Sequence, residues 1–149
     1  MKEVKSLNSV AAFHTTFGHP VKDKPQIPEQ KRCDLRVSLL SEELEELKEA
    51  IANNDLVEVA DALCDLQYVL SGAILEFGLG EQFEALFSEV HRSNMSKACN
   101  SMDEAEATVK HYSKTKGVES YIEEKDGLFL VYRKAVSYTH LTLPTTSRV

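Results

Sequence analysis

Acidic side chains are concentrated in the segment EELEELKEAIANNDLVEVADALCDL, where they are interspersed with leucine, valine, isoleucine and alanine. Their spacing forms two groups, Glu42-Glu43-x-x-Glu46 and Glu58-x-x-Asp61. Residues three or four apart lie on one face of a helix, so each group should project from a single face. Burying unpaired carboxylates is costly, and neighbouring carboxylates repel one another. Acids in this pattern therefore require a counter-charge.

A divalent cation would supply that counter-charge if two helices packed against each other through their acidic faces. Mg²⁺ prefers oxygen ligands in octahedral geometry and keeps positions open for water and phosphate oxygens. Helical bundles build metal sites from side chains on facing helices. The pattern therefore predicts a Mg²⁺ site between the two helices that carry the acids.

Some of these features also have simpler explanations. The letters EELEELKEA are typical of a solvated helix face, and Asp55-x-x-Glu58 is a capping box that would account for Glu58. Asp61 and Asp65 are harder to explain in this way, because acids on an otherwise apolar helix need partners or a cation. We interpret His14 as a surface or helix-end histidine rather than a metal ligand.

Helical periodicity and end signals place the acids on the second and third of five helices. The predicted helices cover about 3–17, 29–52, 55–77, 81–92 and 101–117. In the second helix, one apolar stripe is predicted to face the core: Cys33, Val37, Leu40, Leu44, Leu47 and Ile51. Asp126-Gly127, between two short stretches with strand character, is a hairpin signal. The sequence therefore predicts a mainly α fold, a four- to five-helix bundle with a small C-terminal β-hairpin.

The length of 149 residues fits one domain, which we place at 1–135, with a helical core over about 3–117 and the hairpin over about 118–133. The remaining residues, 136–149, read VSYTHLTLPTTSRV and have no amphipathic pattern. They resemble translated sequencing-adapter sequence appended to a truncated reading frame. We therefore interpret them as a non-native or disordered tail and expect the natural C-terminus to be missing.

Charge and cysteine content argue against several classes of protein. A net charge of -7 and a pI of about 5.2 disfavour a protein that coats a nucleic-acid polymer, which needs a basic surface. The three cysteines form no C-x-x-C pair, and an odd number without a secretory signal suggests the cytoplasm. The longest mainly apolar stretch, 56–77, contains four acids, so we expect a buried helix and not a membrane span.

Taken together, Glu43-x-x-Glu46, eleven residues and Glu58-x-x-Asp61 resemble the signature of the all-α nucleoside triphosphate pyrophosphohydrolases. This superfamily includes the MazG-like proteins, dimeric dUTPases and phosphoribosyl-ATP pyrophosphohydrolase. Four stretches look like the phosphoribosyl-ATP pyrophosphohydrolase-like branch: FHTTFGHPV, LRVSLLSEELEELKEAI, DALCDLQYVLSGAILEFG and EVHRSNMSK. The resemblance covers residues from about 10 to 100 with the helix order intact, and it implies the all-α pyrophosphatase bundle.

The resemblance also implies an activity, which is hydrolysis of a nucleoside triphosphate between its α and β phosphates to a monophosphate and pyrophosphate. Such an activity would serve the house-cleaning of (d)NTPs. The expected cofactor is Mg²⁺, with Mn²⁺ as a substitute. By position, the resemblance assigns the metal to Glu43, Glu46, Glu58 and Asp61.

Further residues receive roles from their positions in the resemblance. Glu42 extends the acidic cluster, and together with Glu43 it is the candidate for catalysis, through another metal or the attacking water. Asn94 and Lys97 are expected to contact phosphates, with Arg36 as a weaker phosphate candidate. Asp65 is expected to contact the base, the sugar or a lysine behind them.

Two other functions remain open. One is a phosphoribosyl-ATP pyrophosphohydrolase of histidine biosynthesis, which cleaves the same bond of another substrate. The other is a noncatalytic helical module that senses a nucleotide or binds a partner protein. Relatives assemble as homodimers or homotetramers, and the two-sided apolar character of the second and third helices agrees with such an assembly.

Overall fold

The protein is described by a computed structural model at residues 1–134; residues 135–149, which include the predicted tail, lie outside the described residues. Five α-helices occur in the described chain: α1 (Ser6–Phe17), α2 (Gln30–Ala52), α3 (Leu56–Glu76), α4 (Phe83–Met95) and α5 (Met102–Lys116). The strands are β1 (Ala98–Cys99), β2 (Ser120–Lys125) and β3 (Leu128–Arg133). The prediction of a mainly α fold with a C-terminal hairpin is confirmed.

Capping side chains begin two of the helices as the sequence predicts. The Asp55 carboxylate accepts a hydrogen bond from the Glu58 backbone N–H at 3.2 Å and begins α3. Ser101 accepts from the Glu104 backbone N–H at 3.2 Å, while the Glu104 carboxylate accepts from the Asn100 N–H at 2.9 Å. These bonds satisfy backbone donors that have no partner inside a helix, so they define where each helix starts.

Contacts within the described chain group it into two compact units, Met1–Glu84 and the residues from Ala85 onward. In the first unit, α1 and α2 both pack on α3. Its buried apolar residues are few and mostly small: Val10, Ala50, Ala62, Ile74 and Leu75. Four polar side chains are buried with them: His14, Arg36, Ser71 and Glu76. The core of this unit is therefore partly polar.

The predicted core stripe of α2 was wrong for three of its members. Val37, Leu44 and Ile51 are 64%, 45% and 55% exposed. The physical reason is that α2 packs chiefly on α3, which covers only one side of it. Apolar periodicity identifies a face that avoids water, and it does not say whether the same chain supplies the cover.

The second unit combines α5 with a three-stranded antiparallel sheet of order β1-β3-β2. Cys99, Ala105 and Val131 form its buried centre, against which Val109, Ile122 and Phe129 pack. Asp126 and Gly127 both have positive φ, 50° and 79°, as a tight hairpin turn requires. Strand β1 was not predicted, because two residues carry no periodicity.

Hydropathy gives one further result for residues 1–134. No single helix there has the length and apolar content to cross a membrane, and only a bent pair, Leu56–Glu76 with Gly80–Met95, passes on length and composition.

Candidate functional site

The acidic faces of α2 and α3 are brought into register by an antiparallel pairing of the two helices. Close to the end of α3, the Glu76 carboxylate accepts hydrogen bonds from Arg32 and Arg36 of α2. Arg36 of α2 lies against Gly72 of α3. Seven residues further along α2 is Glu43, and seven residues earlier on α3 is Asp65, whose charge acts on Glu43. Seven residues are about two turns, or roughly 10 Å of helix.

Glu43 lies within electrostatic range of acids from both helices. Burial raises the pKa of Glu43 above its ordinary value, and the negative charges of Glu46, Asp65, Glu42 and Asp61 raise it further. Glu43 is half-buried, whereas the other four acids are exposed. Negative charges from both helices therefore act on one side chain and disfavour the ionised form of Glu43.

Glu58 occupies a different kind of position from the other predicted ligands. It is exposed in the first turn of α3, where its backbone N–H is bonded to Asp55. An acid in the first turn of a helix is also stabilised by the helix dipole. The N-cap role of Asp55 is therefore confirmed, but the reciprocal bond of a capping box is not formed, because the Asp55 backbone N–H donates to the Ala50 carbonyl. The capping box thus does not account for the Glu58 side chain, and its role as a metal ligand stays a prediction.

The donor chemistry of the acidic cluster fits Mg²⁺, because every candidate ligand is a carboxylate oxygen. Within the part of the chain from 1 to 134, however, no three His, Cys, Asp or Glu side chains are grouped so that they could hold one ion. The ligand assignments of Glu43, Glu46, Glu58 and Asp61 stay predictions that rest on donor type and on the convergence at Glu43.

About two turns along α2 and α3 from the acids lies a buried polar cluster made of His14, Arg36 and Glu76, which the partly exposed Arg32 joins. The Glu76 side chain is 1% exposed and forms ion pairs with both arginines. Burial alone would raise the pKa of Glu76, but the hydrogen bonds and positive charges of Arg32 and Arg36 outweigh it and hold that pKa below its ordinary value. Glu76 is therefore an ionised carboxylate held by two guanidinium groups.

Arg36 has a defined place in this cluster. Its side chain is 8% exposed, its Nη2 donates to Glu76, and its buried Nε has no hydrogen-bond partner among the described residues. The observed role of Arg36 is thus an internal ion pair. Contact with a substrate phosphate, which the sequence suggested, stays a prediction.

His14 lies in the last turn of α1, as the interpretation as a helix-end histidine expects, but at 2% exposed it is not a surface histidine. Its Nδ1 lies 2.9 Å from the Pro20 carbonyl oxygen, and its Nε2 lies 3.4 Å from Nη2 of Arg36. Because a carbonyl can only accept, Nδ1 carries the proton and Nε2 accepts from Arg36. Burial lowers the pKa of His14, and the charge of Arg36 lowers it further against the opposing effect of the Pro20 bond.

Asn94 and Lys97 lie in the second unit, at the end of α4 and just after it. Lys97 Nζ donates to Asn94 Oδ1 at 2.9 Å, and it lies 5.9 Å from the ring centroid of Tyr112. Burial lowers the pKa of Lys97, and the charge of Lys116 lowers it further. The two residues predicted to contact phosphates are thus close to each other, and their contact with a substrate stays a prediction.

Sequence reasoning missed the buried polar cluster. One signal was present, because Glu76 is an acid near the end of the most apolar helix and Arg32 and Arg36 are one turn apart on α2. No spacing rule connects residues that lie forty or more positions apart, so the pairing became visible only in the fold.

Comparison with known proteins supports the resemblance seen in the sequence. The sequence model of the phosphoribosyl-ATP pyrophosphohydrolase family matches residues 10–94, which include both acidic groups and the buried polar cluster. The chain is also 28% identical over 100 residues to "Uncharacterized protein L479" of Acanthamoeba polyphaga mimivirus. That similarity covers 64% of this chain and 40% of the mimivirus protein.

Proposed function

This chain belongs to the phosphoribosyl-ATP pyrophosphohydrolase family, a branch of the all-α nucleoside triphosphate pyrophosphohydrolases, and on that basis we propose its reaction. Family membership implies a pyrophosphohydrolase that acts on a nucleotide-like substrate. The proposed reaction is Mg²⁺-dependent hydrolysis of a nucleoside triphosphate between the α and β phosphates, in the house-cleaning of (d)NTPs. The observation that supports it most is that Glu43 of α2 lies within electrostatic range of Asp61 and Asp65 of α3.

Each acid has a role in the proposed reaction. Glu43, Glu46, Glu58 and Asp61 hold the metal, with Mg²⁺ or Mn²⁺ as the ion. Bound Mg²⁺ neutralises phosphate charge and lowers the pKa of a coordinated water. Glu42 extends the cluster but lies outside this ligand set, so its oxygens remain available to orient the attacking water and take its proton.

The remaining candidate residues bind and orient the substrate in this proposal. Lys97 and Asn94 donate hydrogen bonds to phosphate oxygens, which an ammonium group and an amide are both able to do. Asp65 accepts from a hydroxyl of the sugar or an amino group of the base. Arg36 is the weaker candidate for contact with a phosphate, and its ion pair with Glu76 also holds α2 against α3.

A substrate panel tests the proposal directly. Purified protein with Mg²⁺ is incubated with NTPs, dNTPs and phosphoribosyl-ATP, and pyrophosphate is resolved from orthophosphate. We expect pyrophosphate and the matching monophosphate, without orthophosphate. Stepwise release of orthophosphate would contradict the proposed bond, and nucleotide binding without turnover would identify a sensor.

Phosphoribosyl-ATP is the second candidate substrate, because the matching family carries that name. It offers the same bond and the same phosphates, so the acids would act on it in the same way. The panel separates the two functions by rate: a phosphoribosyl-ATP pyrophosphohydrolase cleaves phosphoribosyl-ATP far faster than ATP.

A homodimer or homotetramer forms part of the proposal, because apolar side chains of α2 and α3 remain exposed in the single chain. Among the large apolar side chains of these helices, the most exposed are Leu56, Val57 and Val37, at 80%, 77% and 64%. Such surfaces are typical of faces covered by a second copy. Sedimentation velocity should therefore show an assembly, whereas a monomer at micromolar concentration would contradict it.

We also place the protein in the cytoplasm, where free thiols such as those of Cys33, Cys64 and Cys99 persist.

A further inference from the structure

Four aromatic side chains form a ring cluster on the surface of the first unit: Phe13, Phe17, His19 and Tyr68. Phe13 is at its centre, with ring centroids 4.4 Å from Phe17, 5.8 Å from His19 and 5.7 Å from Tyr68. The Phe13 and His19 rings are stacked, at 23°, whereas Tyr68 meets Phe13 edge-on, at 78°. Two helices and the loop after α1 therefore contribute rings to one place.

The ring cluster is only partly covered by the chain. Phe17 is 64% exposed, Tyr68 is 40% exposed and Phe13 is 37% exposed. Aromatic faces left in water retain their capacity to stack on another planar ring. A local run of apolar residues would explain Phe13 and Phe17 on one helix, but it does not explain why His19 and Tyr68 join them.

The position of Tyr68 connects the ring cluster with the acids. Tyr68 follows Asp65 by three residues and Asp61 by seven, so all three project from one face of α3. The distance along the helix from Asp61 to Tyr68 is about two turns, or roughly 10 Å. A ribose with its phosphates spans a distance of this order. One face of α3 thus carries carboxylates at one end and an aromatic platform at the other.

We infer that the ring cluster is a nucleobase subsite, in which the base of the substrate stacks on Phe17 and Tyr68 while its phosphates lie toward Asp61 and Glu43. The inference rests on the proposed function, since it takes the phosphates to be at the acids. The group that this subsite would bind is a planar heteroaromatic ring, either a purine or a pyrimidine, because every base presents a π-face. Phe13 contacts both stacking rings and also His19, so it helps to hold them in one place.

Binding measurements separate the base from the phosphates. Titration calorimetry with Mg²⁺ compares an ATP analogue whose α–β bridge is methylene, and so is not cleaved, with inorganic tripolyphosphate, which has no base. Phe17→Leu and Tyr68→Leu remove a ring and keep an apolar side chain. We expect each to weaken binding of the analogue about fivefold or more, the lower end of a base–aromatic stack, and to leave tripolyphosphate binding unchanged.

Phe87→Leu is the matched control, because Phe87 is as exposed as Phe17, at 64%, and is not a member of the ring cluster. It should bind both ligands as the wild type does. Melting temperatures of all three variants show whether a loss of affinity reflects unfolding.

Several outcomes overturn the inference. These are unchanged affinity for the analogue in both ring variants, an equal loss for analogue and tripolyphosphate, or no analogue binding by the wild type. A change of sedimentation coefficient with unchanged affinity would identify the ring cluster as an interface between copies, which also overturns it. The proposed function fails separately, when the analogue binds and the ring variants weaken it but no substrate in the panel releases pyrophosphate.

Discussion

Gly72 of α3 lies directly against the guanidinium group of Arg36 of α2. A Cβ at position 72 would come within 2.7 Å of Arg36 Nη1 and 3.0 Å of His14 Nε2. Only a residue without a side chain leaves this space, so Gly72 is what allows α2 and α1 to meet α3 through a buried polar cluster. The ion pair with Glu76, one turn further along α3, depends on the same close approach.

Gly72→Ala should destabilise the protein by about 1–3 kcal/mol, the usual cost of overpacking a buried site. Alanine favours a helix over glycine by about 1 kcal/mol, but the displaced guanidinium is held by Glu76 and has little room to yield. Urea unfolding measures the change. In an Arg36→Met background the clash is removed, so Gly72→Ala should become neutral or stabilising; an equal loss in both backgrounds would contradict this explanation.

Glu76→Gln should destabilise the protein by about 3–5 kcal/mol, because it leaves two guanidinium groups without their buried counter-charge. The matched control is Glu89→Gln, since Glu89 also accepts two hydrogen bonds from one arginine, Arg92, but at the surface. An exposed pair contributes little, so this control should unfold close to the wild-type midpoint. Similar midpoints for the two variants would show that burial of Glu76 does not determine its contribution.

Stability should fall as the pH drops below about 6.5, the ordinary pKa of histidine. His14 has a lowered pKa in the folded protein, so between that value and 6.5 the unfolded chain binds more protons and is favoured. The titratable and charged groups facing His14 are Arg36 from α2, Glu76 from α3 and His19 from the loop. Because the pKa of Glu76 is lowered as well, its own contribution is lost only at more acidic pH.

Urea midpoints between pH 7.5 and 5.5 test the role of His14. His14→Gln has no titratable ring and should flatten the dependence, which is at most about 1.4 kcal/mol per pH unit for one group. His111→Gln, at an exposed position of α5, is the control and should keep the wild-type slope. A steep slope that persists without His14 would assign the effect to another group.

Mg²⁺ should raise the melting temperature, by roughly 5–10 °C at one hundred times its dissociation constant. Glu43→Gln should act in two opposite ways. It removes one charge from a repelling group, so the metal-free variant should melt above the metal-free wild type; it also removes a ligand, so the increase with Mg²⁺ should shrink. Glu45→Gln, an exposed acid paired with Lys48, should retain the full increase. Equal increases in both variants would show that the acids at Glu43 hold no metal.

Glu46→Gln and Asp61→Asn should each abolish pyrophosphate release and leave the helical circular dichroism spectrum unchanged. Both acids are exposed, so their loss removes a ligand without disturbing the core. Asp34→Asn, an exposed change elsewhere on α2, should leave the rate near wild type. Turnover retained in either of the first two variants would count against the assigned ligands.

The helices could be predicted from the sequence because their signals are local. Asp55 and Ser101 cap helices in the manner their spacing indicates, and Asp126-Gly127 forms the expected turn. Helical spacing also indicated which acids share a face on each helix, whereas the expectation that the two faces meet rested on assumed helix packing and on the family resemblance. The sequence did not predict correctly which residues of α2 are buried, because the exposure of Val37 or Ile51 depends on which neighbours cover that helix.

The sequence by itself thus determined the helical elements, their ends and the faces that carry acids, since each follows from neighbours within a few residues along the chain. Only the tertiary structure decided that His14 is buried, that Glu76 lies between Arg32 and Arg36, and that Tyr68 meets Phe13. Those pairings join residues from separate helices. The free energy of each pairing depends on the distance between the helices and on the desolvation of the side chains. Both quantities are set by the folded structure and cannot be obtained from local sequence patterns.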